Sequence, residues 1–391
     1  MREKMKRIGI ITHYHKSTNS GGNLQAYALC EILLAQGCNV EQVSYLGKQI
    51  SKSTFKRVFS GGLTSFFQKC VRYGKKLLCF PFVRAESKKL NLYSRRQSAF
   101  AHFNGNIIPH SDKVYRDTDI ADCLTNYDCF ITGSDQVWNV DGYDSVYFLD
   151  FVPSDKIKMS YAASIARDGL TDEQKEIFRK SLADYKAVSV REKSAEKLLE
   201  GLSPVGVQTV LDPTLLLAKE DWDKVCADRV IEDAYVFCYF LGDNRKERQI
   251  AKKFAGEKGL KLVALPHTAG IKLKDRKFGD ERLYDVSPEQ FLSLIKHAAY
   301  VFTDSFHAVV FSNIYQKQYF VFNRSKRGEM SSRIVDVTGL FDQQDRFCAG
   351  KEREKLSYIT SLADIDYTKE KPIFEQRKKE SIEFLKKNLE A

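Results

Sequence analysis

Residues 299–322 constrain the fold of this chain more than any other stretch. An apolar run, Tyr300-Val301-Phe302, stops at Thr303-Asp304-Ser305-Phe306-His307 and restarts with helical spacing through Ala308, Val309, Val310, Phe311 and Ile314; a second apolar run ends at Phe322. The spacing predicts strand, tight turn, short helix and strand, with the turn at a strand's carboxyl end. In α/β sheets such turns line ligand crevices. His307 falls in the first helical turn, where free backbone N–H groups and the positive end of the helix dipole favour an anion. A packed structural histidine is the plain alternative.

The same alternation runs through most of the chain. Residues 8–11 read as a buried strand, followed by a polar loop over 12–23 and an amphipathic helix over 24–36 that Gly37 ends; 40–43 read as the second strand. Asn19-Ser20-Gly21-Gly22-Asn23 is not a GxGxxG phosphate loop, and its glycines are expected only to permit the turn before the helix. Regular alternation resumes at 128–132, a strand leading into Gly133-Ser134-Asp135-Gln136-Val137-Trp138-Asn139, where short polar side chains, an amide and an indole suit a sugar or a small anion. Arg191 closes the strand over 187–190, and a fixed guanidinium there can hold a carboxylate or phosphate in two-pronged fashion. Its plain alternative is an ion pair with Glu192 or Asp212. Leu211-Asp212-Pro213 reads as a boundary.

Beyond it, strands over 235–240 and 262–265 alternate with helices over 245–258 and 288–297, the latter capped by Ser287. A polar segment after the strand ending at Phe322 carries Arg324, Lys326, Arg327 and Arg333. A terminal helix over 372–389 has Ile382, Leu385 and Leu389 on one stripe. The expected architecture is α/β: two Rossmann-like halves, residues 1–212 and 213–345, with a tail and helix over 346–391 packing back.

At 391 residues the chain exceeds one ordinary core. Its net charge of +11 is local: residues 48–96 hold 13 basic residues against one acid, Glu86, which leaves the remainder near neutral. This basic stretch belongs to a helical insert expected over about 45–105, read as a solvated face or as a surface for anionic lipid or a polyanionic chain. Nine scattered cysteines without CxxC, and no clustered histidines, argue against zinc or a disulfide framework. The charged amino terminus has no apolar signal region and the chain no 18-residue apolar span, so the expected location is cytoplasmic, with peripheral attachment at the inner membrane face as an option.

Six stretches together resemble the polysaccharide pyruvyl transferase family: 19–29 (NSGGNLQAYAL), 128–139 (DCFITGSDQVWN), 160–166 (SYAASIA), 188–194 (VSVREKS), 210–214 (VLDPT) and 303–307 (TDSFH). They follow the family's order over some three hundred residues. The resemblance implies a fold like that of the B-type glycosyltransferases with the site in the interdomain cleft. It also implies transfer of a pyruvyl unit from phosphoenolpyruvate to two sugar hydroxyls as a ketal, with phosphoenolpyruvate as co-substrate and neither cofactor nor metal.

Arg191 and His307 match family positions; Arg191 would hold the donor, and His307 would act as general acid toward C3 or as proton donor on the phosphate side. Asp135 would orient or deprotonate the acceptor hydroxyl. Asn23, Gln25, Gln136 and Trp138 are further acceptor-side candidates, with a buried core indole as the plain alternative for Trp138. The family's usual Arg-Leu-His is Ser305-Phe306-His307 here, and Ser20 replaces a usual aromatic. Ser305 is thus retained as a donor-site position, and the missing cation is expected from Arg333, or from Arg327. Arg333 pairing with Asp336 at i, i+3 is the plain alternative. The expected partners are a sugar or oligosaccharide acceptor, lipid-linked as one option, and an anionic membrane surface as another; nucleic acid is not expected. Competing functions are a nucleotide-sugar glycosyltransferase using Glu281 or Asp285 for the ribose, and a non-catalytic partner in polysaccharide assembly.

Overall fold

A computed structural model describes residues 6–47, 91–243, 245–266, 274–324 and 332–390. In the first half, β1 (Arg7–Ile11), β2 (Asn39–Tyr45), β3 (His110–Tyr115), β4 (Cys129–Thr132) and β5 (Ile157–Ser160) form a parallel sheet in the order β3-β2-β1-β4-β5. A parallel pair, β6 (Val188–Val190) and β7 (Val207–Thr209), continues it through bridges Met159–Ala187 and Ala163–Val190. The helices here are α1 (Ser20–Ala35), α2 (Leu92–His102), α3 (Asp172–Ser181) and α4 (Lys193–Leu199).

After α5 (Lys219–Asp223), the second half builds a six-stranded parallel sheet. Its strands are β8 (Tyr235–Tyr239), β9 (Lys261–Leu265), β10 (Glu281–Arg282), β11 (Tyr300–Thr303), β12 (Gln318–Phe322) and β13 (Phe347–Cys348), in the order β10-β9-β8-β11-β12-β13. Between and after them come α6 (Arg245–Glu257), α7 (Pro288–Lys296), α8 (Phe306–Ile314), α9 (Ser332–Leu340), α10 (Leu356–Ser361) and α11 (Pro372–Glu390). Each sheet starts at its centre, grows to one side, then returns to grow to the other. The direction reverses between β1 and β4 in one half and between β8 and β11 in the other, and crevices open at such points.

The second sheet runs past the expected limit at 345, because β13 pairs with β12 and Ile359 of α10 joins the core around Phe254 and Phe302. A two-residue strand is too short to show a period. Helix α11 lies against the first half: the Leu211 N–H donates to Ser381 Oγ at 2.9 Å, Arg377 Nη2 donates to the Thr209 carbonyl at 2.7 Å, and Phe384 faces the Tyr161 ring. Of the basic insert, residues 48–90 lie outside the described residues. Among those described, no helix is long and apolar enough to cross a membrane.

Helix α1 corrects one expectation. It begins at Ser20, not Leu24, so Gly21 and Gly22 form its first turn and are not part of a preceding loop. Every residue from Ser20 through Cys30 is buried, which explains why no clean amphipathic stripe marks it. One apolar cluster contains α1 residues Leu24 and Tyr27 together with Phe291 and Phe311 of the second half. Trp222 bridges them, its ring 5.7 Å from Tyr27 and 4.9 Å from Phe311.

Candidate active site

Four turns of the first half and three segments of the second bring charge to the space between the two reversal points. His13 follows β1, Asp135 follows β4, Arg191 follows β6 and Asp212 follows β7; opposite them stand His307 in α8, Arg324 after β12 and Arg333 in α9. Asp135 adopts the left-handed region at φ 75°, a conformation short polar side chains tolerate. Its carbonyl accepts from the N–H groups of Val137 and Ser164 and so fixes the turn.

Asp212 is the hub. Its Oδ2 accepts from Arg191 Nη1 at 2.9 Å and from Ser134 Oγ at 2.9 Å, while Oδ1 accepts from the Thr214 N–H at 3.0 Å and Oγ1 at 2.6 Å. His307 Nε2 stands 3.6 Å from the same Oδ2, beyond hydrogen-bond range and within reach of an ion pair. Burial alone would raise this carboxyl. His307, Arg191 and the Thr214 hydroxyl offset that and hold it far below the usual carboxylate range.

Arg191 is fully enclosed. Its Nη2 lies 3.7 Å from Asp135 Oδ1, its Nε lies 3.9 Å from Glu192 Oε2, and its plane sits 4.6 Å over the Phe306 ring. Neither Nε nor Nη2 makes a hydrogen bond among the described residues. Glu192 is held in turn by the Ser164 hydroxyl and the Ala166 N–H. For Asp135, burial pushes the carboxyl up, but Arg191, then His307, His13 and Arg333, outweigh it and leave the group below its ordinary value.

Arg333 differs from every other buried cation of the site. Only 5% exposed, it makes no hydrogen bond or ion pair among the described residues, and its Nε is enclosed without a partner. Burial, reinforced by Arg191 and Arg324, lowers its guanidinium to about 10. The i, i+3 pair with Asp336 does not form; that carboxylate accepts the Lys193 N–H at 3.3 Å. A small cavity of about 350 Å³ is lined by Arg191, Asp212, Phe306 and Arg333. A wider one of about 930 Å³ is lined by His13, Asp135, Gln136, Tyr147 and Arg324. The Arg191–Asp135 contact joins the two.

Among the expected acceptor-side residues only Gln136 lines the wide cleft. Trp138 is core: it is fully buried, stacks on Phe148, and donates its indole N–H to the Tyr147 carbonyl. Asn23 and Gln25 are also enclosed, the first donating to the carbonyls of Ser17 and Asn19, the second to Thr12 Oγ1 and the Gly22 carbonyl. Their amide N–H groups order the α1 start, and neither residue lines the two cavities. Ser305 is buried at the start of α8, its N–H held by Thr303 Oγ1, and lines neither cavity. Arg327 lies outside the described residues.

Sequence reasoning missed His13 and Asp212 as site residues, and it set Arg324 aside in favour of Arg333. Only Asp212 carried a signal, an acid just past a strand and ahead of Pro213. Asp304, 4.0 Å from Arg324 Nε, is structural, accepting the N–H groups of Leu241 at 2.7 Å and Gly242 at 2.6 Å. Among the described residues no three His, Cys, Asp or Glu side chains are grouped to hold a metal ion.

Gly21 explains the double glycine. A Cβ at this position would stand 2.1 Å from His307 Nδ1, so α1 presses its backbone flat against the imidazole. We expect Gly21→Ala to displace the ring and lower turnover by roughly 10-fold or more through misplacement alone. Steady-state kinetics beside a thermal melt check this; unchanged turnover would mean that the ring position is not critical.

Two Rossmann-like halves with facing crevices and a charged site between them define a fold of the B-type glycosyltransferase kind. The fold is similar to that of a UDP-N-acetylglucosamine 2-epimerase from Rickettsia bellii, with a TM-score of 0.55 and 10% identity over 99% of this chain and 98% of that one. A second likeness, to UDP-GlcNAc 2-epimerase from Neisseria meningitidis bound to UDP-GlcNAc, has a TM-score of 0.49 and 10% identity over 98% of this chain and 100% of that one. No curated protein matches the chain. The family model for polysaccharide pyruvyl transferase matches residues 19–326, and the chain belongs to that family.

Proposed function

We propose that this protein moves the pyruvyl unit of phosphoenolpyruvate onto two hydroxyls of a sugar in a polysaccharide or its precursor, forming a ketal. The observation that carries the reading is Arg333, a buried guanidinium with no partner among the described residues, beside an Arg191 with two N–H edges that make no hydrogen bond there. Buried charges are normally paired, so this arrangement suits an anionic ligand. Phosphoenolpyruvate offers a carboxylate and a phosphate, and two guanidinium forks match them in number and shape. No cofactor is needed.

In this reading Arg191 and Arg333 hold the donor, and His307, oriented by Asp212, delivers a proton to the donor's C3. Asp135 takes the proton of the attacking hydroxyl. Gln136 and the polar wall around it receive the sugar, free or carried on a lipid. The nucleotide-sugar alternative needs an acid for the ribose. Its two candidates are already engaged: Glu281 with Lys261 and Asp285 with Arg95, each at 2.8 Å.

The test is phosphate release from phosphoenolpyruvate with a panel of p-nitrophenyl hexosides and lipid-linked sugars. Release is expected only when a suitable sugar is present. Sugar transfer from a nucleotide sugar, with no response to phosphoenolpyruvate, would overturn the reading.

A further inference from the structure

Ketal formation removes two hydroxyl protons, and the site just described provides a recipient for one. On the donor side, C3 gains a proton, the first sugar oxygen bonds to C2, and Asp135 takes that hydroxyl's proton. Then the bond from C2 to the phosphate oxygen breaks, phosphate leaves with the electron pair, and the second sugar oxygen bonds to C2. Overall, one of the two released protons replaces that given to C3 and the other ends on the departing phosphate. The second hydroxyl needs its own base.

We infer that His13 is a catalytic residue of the same site, the base that takes the proton of the second, ring-closing hydroxyl. This rests on the ketal-forming reading. His13 follows β1 and lines the wide cleft with Asp135, Gln136 and Tyr147. Its ring meets Tyr147 edge-on at 4.2 Å, which fixes its plane. The residue is half-buried in the cleft wall, and no hydrogen bond to its ring is found among the described residues.

His13 and Asp135 line one cleft, and the Asp135 charge acts on the imidazole. A Cβ on Gly22 would stand 2.9 Å from the His13 carbonyl and 3.4 Å from Asp135 Oδ2, so the first turn of α1 touches both. Two hydroxyls that close on one carbon must also be neighbours, and a pair of bases lining one cleft meets that demand. The groups facing the imidazole are Asp135, Asp144, the Tyr147 ring and, on the cleft's far side, Arg324. Burial lowers the imidazole's pKa, against a smaller opposing pull from Asp135 and Asp144, so the ring is neutral at pH 7 and ready to accept. Once protonated, it has the Asp144 carboxylate at hand to stabilise its charge. Asp144 is held for that purpose by the Tyr45 hydroxyl at 2.9 Å.

The experiment follows C3 of phosphoenolpyruvate in D₂O. It uses the sugar that supports phosphate release and the ether of that sugar with one of its two hydroxyls methylated. The ether permits the first addition and its reversal, read as deuterium entering C3, but no ring closure. His13→Gln is expected to lose ketal formation by roughly 100-fold or more, yet to keep C3 exchange with the ether within about 3-fold of the parent. Imidazole added to His13→Ala is expected to restore part of the closure. Ketal formation at the parental rate, or a fall of exchange and closure by the same factor, would overturn the assignment. A parent protein that forms no ketal from phosphoenolpyruvate would instead overturn the functional reading itself. Should His13→Gln melt early, His13→Asn takes its place in the same comparison.

Discussion

His307→Gln is expected to lower turnover by roughly 100-fold or more with the fold intact. Glutamine keeps a polar side chain of similar reach but transfers no proton. The loss should therefore appear in the proton-transfer step, read as deuterium uptake at C3, more than in donor affinity. The ring is clamped between Gly21 on one side and Phe306, 5.2 Å away edge-on, on the other. Asp212 stands 3.6 Å from Nε2. A clamped ring has few orientations to lose when donor binds, which is how a modest buried imidazole contributes a large factor. Near-parental turnover in a folded His307→Gln protein would remove His307 from the role of acid.

Arg333→Met is expected to act in opposite directions on binding and on stability. Losing a two-pronged charged contact should raise the donor's Michaelis constant about 30-fold, equivalent to about 2 kcal/mol. Removing a buried cation that has no partner among the described residues should raise the unliganded protein's stability, on the order of 1–3 kcal/mol, since methionine fills similar space without a desolvated charge. The pH dependence has a definite sign. Folding lowers the Arg333 guanidinium to about 10, so above that pH the unfolded chain binds more protons than the folded one, and this group's contribution to stability rises as pH climbs. Below about pH 10 both states are protonated and its cost is fully present. Melts of parent and variant in the presence and absence of phosphoenolpyruvate check all three points. A variant that melts lower without donor while donor kinetics stay unchanged would mean that Arg333 is a structural residue.

Much of this architecture is legible in the residues because parallel strands buried on both faces read as unbroken apolar runs. Tyr300-Val301-Phe302 and the run ending at Phe322 became neighbouring strands β11 and β12, and the turn between β11 and α8 delivers His307 to the crevice. Arg191 was readable for the same reason, as a lone cation closing a strand. Its anticipated pairing with Asp212 is also present, so the ion pair and the open N–H edges coexist on one guanidinium.

What escaped the sequence were features set by contacts between distant segments. Gly21 and Gly22 disfavour a helix by propensity, yet α1 includes them because His307 and the His13–Asp135 wall leave no room for a side chain. Trp138 sits among polar neighbours in sequence but turns inward onto Phe148, Phe178 and Tyr185. Asp212 looked like the end of a segment; its importance comes from receiving Arg191, Ser134 and Thr214 at once, which no local pattern encodes. His13 has no motif around it. Only the meeting of β1 and β4 at the reversal point places it beside Asp135.

The Asp212–His307 contact joins two residues that belong to opposite halves of the molecule. On the proposed reading neither half alone holds a complete proton source: one half owns the orienting carboxylate, the other owns the imidazole. Donor captured while the halves stand apart would meet an acid that is neither aimed nor clamped, and water reaching the donor at that moment would find it unactivated. On the proposed reading, wasteful hydrolysis would be held back wherever the two halves are not docked, since the acid is aimed only by a carboxylate from across the cleft.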